Sequence, residues 1–253
     1  MSASINTNVA SMLAMQNLSR TQSELTTTQA RIATGQKVSS AKDNGAIYAI
    51  ANNMRGSSIA LNAVRESLQR GQSSTDVALA AGDVVSDLLN QMKEKALAAS
   101  DTQLNTSSRN AMNADFVALR DQITKTVTNA NFNGFNLIKG TPNTISALAD
   151  ETGTSKITVA GQDLSLNGGN VTVTATTSVG TQALAASTIT LVNASIKNVS
   201  LALAKLGSGS KALTAHLGFV NKLQDAIDAG IGNIVDADLA KESARLQALQ
   251  VQQ

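Results

Sequence analysis

The chain has 253 residues, a formal net charge of +2, 2% aromatic residues, one Pro and no Cys. The lack of Cys excludes disulfides and thiolate metal sites, and the small charge without a Lys/Arg cluster argues against nucleic acid as a partner. No window of about 18 apolar residues is present, so no membrane insertion is expected. Small aliphatic residues in place of large rings favour long helices packed side by side.

The first predicted helix runs from Ile5 to about Ala33, and its first charged residue is Arg20. Six apolar side chains form a thin stripe along it: Ile5, Val9, Met12, Leu18, Leu25 and Ile32. Each contributes about 1.5–3 kcal/mol if fully buried. Ordering the backbone costs on the order of 1–2 kcal/mol per residue. We therefore expect that this helix does not persist alone and requires partner helices.

Two further helices are predicted after a Gly/Ser/Asn-rich break at residues 35–45. The second has apolar residues at helical spacing from Ile47 to about Ala98. The third is marked by Met112, Phe116 and Ile123, and it ends before the sequence NFNGFN.

A different pattern occupies residues 140–188. Apolar and polar residues alternate at Ile157/Val159, Leu164/Leu166 and Val171/Val173, around a turn at Gly168–Gly169. This pattern predicts a small β hairpin or short meander, exposed in mid-chain between two helical arms.

A heptad pattern gives the clearest signal in the C-terminal part. Alternating steps of four and three residues connect a series in which only Ser210 and Gln224 are polar. We name its apolar members the heptad seam: Val192, Ile196, Val199, Leu203, Leu206, Leu213, Leu217, Val220, Ile227, Ile231 and Ile234. Five glycines lie nearby, at positions 207, 209, 218, 230 and 232, and local kinks or fraying are expected there. A continuous helix over residues 191–250 has a length of ~90 Å. A globule of this size has a radius of gyration of roughly 18 Å, so the sequence predicts an elongated rod.

No catalytic, cofactor-binding or metal-binding site is predicted, and we expect no enzyme activity. His216 is the only histidine and has no orienting partner at a suitable spacing, so a role on a helix surface is expected. Asp236, Asp238 and Glu242 lack the offsets of a calcium loop. Capping of the last helix by Asp236 or Asp238 is the expected role of the two aspartates.

Several motifs resemble those of bacterial flagellin, the subunit of the flagellar filament. INTN (5–8), RIATG (31–35) and VSSAKDNGA (38–46) resemble the opening block of that family. NFNGFNLIKG (131–140) resembles its Phe-Asn-Gly motif, and IVDADLAKESARLQALQ (234–250) resembles its C-terminal signature. The resemblance covers both ends of the chain, about three quarters of its length.

This resemblance implies a mainly α fold, an elongated rod of long antiparallel coiled-coil-like helices with a small β insertion. The expected segments are an N-terminal assembly helix (1–34), a connecting segment (35–45), two halves of the helical rod domain (46–139 and 189–235), the solvent-facing insertion (140–188) and a C-terminal assembly helix (236–253). The apolar stripe of the first helix is expected to assemble with Leu239, Leu246 and Leu249 of the last, and with neighbouring subunits.

The resemblance also implies a place and a set of partners. The chain is expected to polymerise with itself or with sister flagellins into an extracellular filament used for swimming, and to order its ends only on assembly. The implied partners are the flagellar export apparatus, a chaperone, and the hook-associated and cap proteins. Export without a cleaved signal is implied, and the Ser/Thr-rich insertion is either a solvated β surface or a site of O-glycosylation.

Two alternatives and one departure accompany this interpretation. A hook–filament junction protein resembles flagellin at both ends, and a non-flagellar coiled-coil protein shares the heptad pattern. Flagellins usually continue for several helical turns beyond the region of Leu246–Gln250, whereas this sequence stops at Gln253. Trimming of the sequence is therefore expected, and the alternative is that this chain polymerises poorly.

Overall fold

The computed structural model describes residues 8–252, which form five helices and one two-stranded sheet. The helices are α1 (Val9–Thr34), α2 (Gly45–Ala99), α3 (Thr106–Asn129), α4 (Gln182–Val235) and α5 (Leu239–Gln252), and the strands are β1 (Ile145–Leu148) and β2 (Lys156–Val159). The predicted mainly helical fold with a small β hairpin in mid-chain is confirmed.

The chain divides into two compact units. Unit 1 contains the residues up to Ala60 and those from Lys222 onward, and so includes α1, the start of α2, the end of α4 and α5. Unit 2 is Leu61–Asn221 and includes most of α2 and α4, together with α3 and the sheet.

In unit 1, helix α1 has a defined cap at each end. The Asn8 side chain accepts a hydrogen bond from the backbone N–H of Ser11 at 3.2 Å. Gly35 ends the helix with a positive φ of 69°, a conformation that glycine adopts without steric cost. The predicted start of this helix at Ile5 lies outside the described residues.

Helix α4 ends at Val235 and α5 begins at Leu239, so residues 191–250 do not form the single continuous helix for which the length of ~90 Å was calculated. The carboxylate of Asp238 accepts hydrogen bonds from the N–H groups of Ala240 and Lys241, both at 3.1 Å, and so begins α5. At the break, the N–H of Lys37 donates to the carbonyl of Val235 at 2.8 Å. The N–H of Ala237 donates to the carbonyl of Gly35 at 2.9 Å.

These contacts join the end of α1 to the break before α5, and we name them the main-chain bridge (Gly35–Lys37 with Val235–Ala237). They engage backbone groups that a continuous helix would have used internally. The helix therefore ends at Val235 and a new helix begins after its own cap.

In unit 2, the core follows the helical periodicity of α2, α3 and α4. On α4, every seventh residue is fully buried, at Val192, Val199, Leu206, Leu213 and Val220. On α3, Phe116 and Ile123 are fully buried one heptad apart. α4 remains one helix through the glycines at which kinks or fraying were expected.

The sheet pairs β1 with β2 in antiparallel register, with Ile145 opposite Val159 and Leu148 opposite Lys156. The strand predicted at Ile157/Val159 is therefore confirmed, but the predicted hairpin turn at Gly168–Gly169 is wrong. Between its two flanks, Leu166 and Val171 form only an isolated bridge.

Tertiary hydrogen bonds explain this difference. The N–H of Leu164 donates to the carbonyl of Ile138 at 2.9 Å, and the N–H of Thr172 donates to Ser195 Oγ at 3.0 Å. Both backbone donors are thus committed to other parts of unit 2 and are not available to pair the two flanks with each other.

Candidate assembly surface

Helices α1 and α5 of unit 1 pair in an antiparallel direction. Arg31 near the end of α1 contacts Glu242 at the start of α5, and Glu24, one heptad earlier, contacts Arg245 further along α5. Leu25 and Thr28 of α1 and Leu249 of α5 are buried. This pairing covers the second half of α1.

Two ion pairs cross between the paired helices. Arg31 Nη1 lies 3.2 Å from Glu242 Oε1, and the two side chains are 32% and 12% exposed. Arg245 Nη2 lies 3.4 Å from Glu24 Oε2 in a more exposed position. Hydrogen bonds from Arg20 and then from Arg245 hold the pKa of the Glu24 carboxyl below its usual value.

The carboxylate of Glu242 is only half satisfied. Its Oε1 atom receives the Arg31 guanidinium, whereas its buried Oε2 atom has no hydrogen-bond partner among the described residues. Glu242 as a whole is 9% exposed. A buried carboxylate depends on its counter-charge, so loss of Arg31 would leave the charge of Glu242 uncompensated.

The first half of α1 has a different character, since every residue from Asn8 to Arg20 is exposed. Five of these are large apolar side chains, exposed by 49–75%, which we name the exposed α1 surface: Val9, Met12, Leu13, Met15 and Leu18. At 3.6 residues per turn they cover an arc of ~220° around the helix. A helix that is apolar over most of its circumference is typical of one buried among several neighbours.

The residues predicted for assembly are therefore found in two settings. Leu25 and Leu249 are buried, and Ile32 and Leu246 are half-buried, in the segment where α1 pairs with α5. Val9, Met12 and Leu18 on α1 and Leu239 on α5 are exposed, and Ile5 lies outside the described residues.

The apolar stripe that was predicted from the sequence did not include Leu13 and Met15, two residues of the exposed α1 surface. Their apolar side chains were visible in the sequence, but they are off a single-stripe spacing. It also omitted both interhelical ion pairs. The sequence did offer a clue to these ion pairs, because Arg20, Glu24 and Arg31 are the only charged residues of α1.

The heptad seam is at least partly buried along its whole length. In unit 2 the side chains between the fully buried positions, Ile196, Leu203 and Leu217, are half-buried. In unit 1 the seam continues through half-buried Ile227, Ile231 and Ile234. Near these residues Ser58 Oγ donates to Asp228 Oδ1 at 2.9 Å.

Within residues 8–252, no helix has the length and apolarity needed to cross a bilayer. The same residues contain no group of three or more His, Asp or Glu side chains placed to hold a metal ion.

Two family models match the chain. One describes the bacterial flagellin N-terminal helical region and matches residues 5–143, and the other describes the bacterial flagellin C-terminal helical region and matches residues 189–253. The first model covers α1 to α3, and the second covers most of α4 and all of α5. The matches place the chain in the class of structural subunits of the bacterial flagellar filament.

Relatives of known name support the same class. The chain is 55% identical over 251 residues to the flagellin FljK and 54% identical over 250 residues to the flagellin FljM, both of Caulobacter vibrioides. Each match covers 99% of this chain and 90% of the relative. A flagellin of Brucella melitensis is 31% identical over 264 residues, covering 99% of this chain and 92% of the relative. The chain belongs to the bacterial flagellin family.

Solved structures show the same fold at lower identity. A Bacillus cereus flagellin has a TM-score of 0.54 and 23% identity, and the match covers 61% of this chain and 88% of that one. A putative flagellar hook-associated protein from Vibrio parahaemolyticus has a TM-score of 0.60 and 14% identity, covering 77% and 100%. These likenesses concern the fold alone, and they do not favour a hook-associated protein over a flagellin, which the sequence relatives support.

Proposed function

We propose that the exposed α1 surface is the main site through which this flagellin binds neighbouring copies of itself in the filament. The supporting observation is the exposure of five large apolar side chains on one half of a single helix, in a chain whose family polymerises. Contiguous exposed apolar surface of this kind marks sites of protein association. Leu239, which is 50% exposed at the start of α5, extends the same proposal to the C-terminal assembly helix.

The proposal includes the order in which the ends fold. In a single chain, the second half of α1 has one partner helix, α5, and the first half has none among the described residues. Isolated helical segments are marginal in water, so α1 and α5 are expected to fray in dilute monomer and to become ordered as copies join.

A matched pair of variants at one position tests the surface. Met15, which is 69% exposed, is changed to Lys or to Leu, and elongation from filament fragments is followed by light scattering and electron microscopy. Met15→Leu keeps the apolar surface and should elongate like the parent chain. Met15→Lys should elongate at least about tenfold less, because a lysine in a buried contact costs several kcal/mol.

The outcomes separate the alternatives. Unchanged elongation by Met15→Lys would exclude the exposed α1 surface as an assembly site. Short caps on the seeds in place of long filaments, for the parent chain, would favour the hook-associated alternative. Hydrogen exchange of residues 9–34 and 239–252 tests the order of folding, since strong protection of these amides in dilute monomer would contradict it.

We also propose the export route and the accessory partners that the family implies. The chain would leave the cell through the flagellar export apparatus with a chaperone, without loss of a cleaved signal. It would then join the filament beneath the cap, beyond the hook-associated proteins, alone or with sister flagellins. Mass spectrometry of sheared filaments tests this, because an intact first peptide supports the route and a processed one contradicts it. The same spectra report any O-glycosylation of residues 140–188.

A further inference from the structure

The charged residues of α1 and α5 are few and are matched across the helix pair. α1 contains only Arg20, Glu24 and Arg31, and α5 contains only Lys241, Glu242 and Arg245. The remainder of both helices is small, polar or aliphatic. A helix surface of this repetitive kind specifies poorly which residues face each other.

The ion pairs remove that ambiguity. If α5 moved by one turn, about 5.4 Å, towards the start of α1, Glu242 would lose Arg31 and face a segment of α1 that contains no cation before Arg20. The other arginine of α1, Arg20, is eleven residues away, or ~16 Å along the helix. Because Glu242 is almost fully buried, the shifted arrangement would leave a carboxylate without a counter-charge.

The surroundings of the Glu242 carboxylate indicate how the Arg31–Glu242 ion pair affects the pairing of α1 with α5. Its Oε1 atom receives the Arg31 guanidinium, and no described residue donates to Oε2, so Arg31 is the one cationic partner that the described residues give this carboxylate. Buried ion pairs of this type add little net stability compared with apolar residues, but they discriminate strongly between alternative arrangements. The register role of a buried polar group is the best attested use of such a pair.

The main-chain bridge cannot supply this discrimination by itself. It fixes the distance between the end of α1 and the start of α5 through backbone groups, which every residue possesses. It does not determine how each helix is rotated about its axis. The buried carboxylate of Glu242, the one acidic group of α5, does determine this by facing the half-buried Arg31.

We propose that the Arg31–Glu242 ion pair is the specificity determinant of α1–α5 pairing: it selects one rotational setting of the two helices and reinforces the register that the main-chain bridge sets. The inference rests on the proposed function, in which the paired helices form part of the assembled filament. Glu24–Arg245, being more exposed, reinforces the same choice weakly.

Charge reversals test the pairing itself. Arg31→Glu and Glu242→Arg should each lower polymer yield from filament fragments by more than about tenfold, because each leaves like charges facing one another in a buried contact. The double variant Arg31→Glu/Glu242→Arg should recover to within about threefold of the parent chain. As the matched control, reversing Glu24 or Arg245 should change the yield by less than about threefold.

Mixing the two single variants shows whether α1 pairs with α5 of its own chain or with α5 of another copy. If each α1 pairs with the α5 of its own chain, a mixture of the Arg31→Glu and Glu242→Arg chains stays as inactive as either alone, which is the expected result. Recovery in the mixture would show exchange of α5 between copies and would overturn the intrachain pairing.

The setting of the two helices is measured directly with an apolar replacement, Arg31→Met/Glu242→Leu. Thr27 and Gln247 are exposed, and each is changed to Cys to carry a nitroxide label. Because the sequence has no other Cys, the labels attach at these two positions alone. Labelled chains are diluted into filaments of unlabelled chains. The parent should give one narrow distance distribution, whereas the apolar variant should still polymerise but give a broad or multiple distribution, because its helices are no longer held in one rotational setting.

These results have distinct meanings. A single narrow distribution in the polymerised apolar variant, at the parent distance, would overturn the inference. Failure of the parent chain to elongate at all would contradict the proposed function, and not the specificity determinant.

Discussion

Nε2 of the His216 imidazole lies 2.7 Å from the carbonyl oxygen of Ala149, so a residue of α4 holds the end of strand β1 in place. The carbonyl can only accept, which means that Nε2 carries the proton in the neutral ring. The ring also contacts Phe219, with the two centroids 5.5 Å apart. The only histidine of the chain is therefore a tether for the hairpin.

The first prediction follows from this tether. ¹⁵N spectra at neutral pH should show the single histidine as the tautomer protonated at Nε2. His216→Phe keeps an aromatic ring beside Phe219 but removes the donor, and it should lower the free energy of unfolding by about 1 kcal/mol. Amide exchange of residues 149–155 should accelerate. An Nδ1-protonated ring would contradict the assignment.

The second prediction concerns acid. Thr152 Oγ1 and Thr154 Oγ1 each donate to Asp150 Oδ2 at 2.7 Å, and the N–H of Ser155 donates to Oδ1 at 3.1 Å. These donors, the threonine hydroxyls first, lower the pKa of Asp150 from 3.8 to about 2. A lowered pKa stabilises the folded turn above about pH 3.8, and this contribution is lost as the pH falls towards 2.

An NMR titration of the Asp150 carboxyl measures this directly, with a midpoint expected near pH 2. Asp150→Asn should remove the acid dependence of the chemical shifts of residues 152–155 and weaken the turn at neutral pH. A midpoint at the ordinary value for aspartate would exclude the network as the cause.

The third prediction uses two glycines of α4 that are two residues apart. A Cβ at Gly209 would lie 2.6 Å from Val159 Cγ1 of strand β2, whereas one at Gly207 would meet nothing within 4 Å. Gly207→Ala should stabilise the chain by up to about 1 kcal/mol through helix propensity. Gly209→Ala should destabilise it by about 1–3 kcal/mol through overpacking. Urea unfolding followed by circular dichroism gives both values, and equal effects would contradict the close approach of β2 to α4.

The fourth prediction compares buried and exposed leucines of the same helix. Leu206 and Leu213 are fully buried, and Leu201 is 63% exposed. Leu206→Ala or Leu213→Ala should lower the free energy of unfolding by about 2–5 kcal/mol. Leu201→Ala should change it by less than about 0.5 kcal/mol. Comparable losses at all three positions would argue against the core position of the heptad seam in unit 2.

The sequence predicted best what depends on local periodicity. The buried heptad positions of α4 and the long span of α2 follow from apolar spacing, because a helix repeats its environment every 3.6 residues. The capping role of Asp238 was also predicted, since an aspartate before an apolar helical run has a local function.

The sequence predicted worst what depends on distant partners. The resemblance, and no local pattern, placed a segment boundary after residue 235, where α4 ends beside hydrogen bonds with Gly35 and Lys37, two hundred residues earlier in the chain. The hairpin predicted around Gly168–Gly169 does not form, and the backbone donors of Leu164 and Thr172 on its flanks bond instead to Ile138 and Ser195. Neither set of hydrogen bonds is visible in a local pattern. The Arg31–Glu242 pair was missed for the same reason.

The main-chain bridge has a consequence for how this chain can vary. It closes a loop of about two hundred residues, and the entropy of closing a loop grows only with the logarithm of its length, by about 0.6 kcal/mol for each doubling. Lengthening or shortening the surface segments between Lys37 and Val235 therefore alters the stability of the bridge very little. Large insertions in mid-chain are compatible with an unchanged junction between the two ends, whereas a single proline at Lys37 or Ala237 would remove one of its donors.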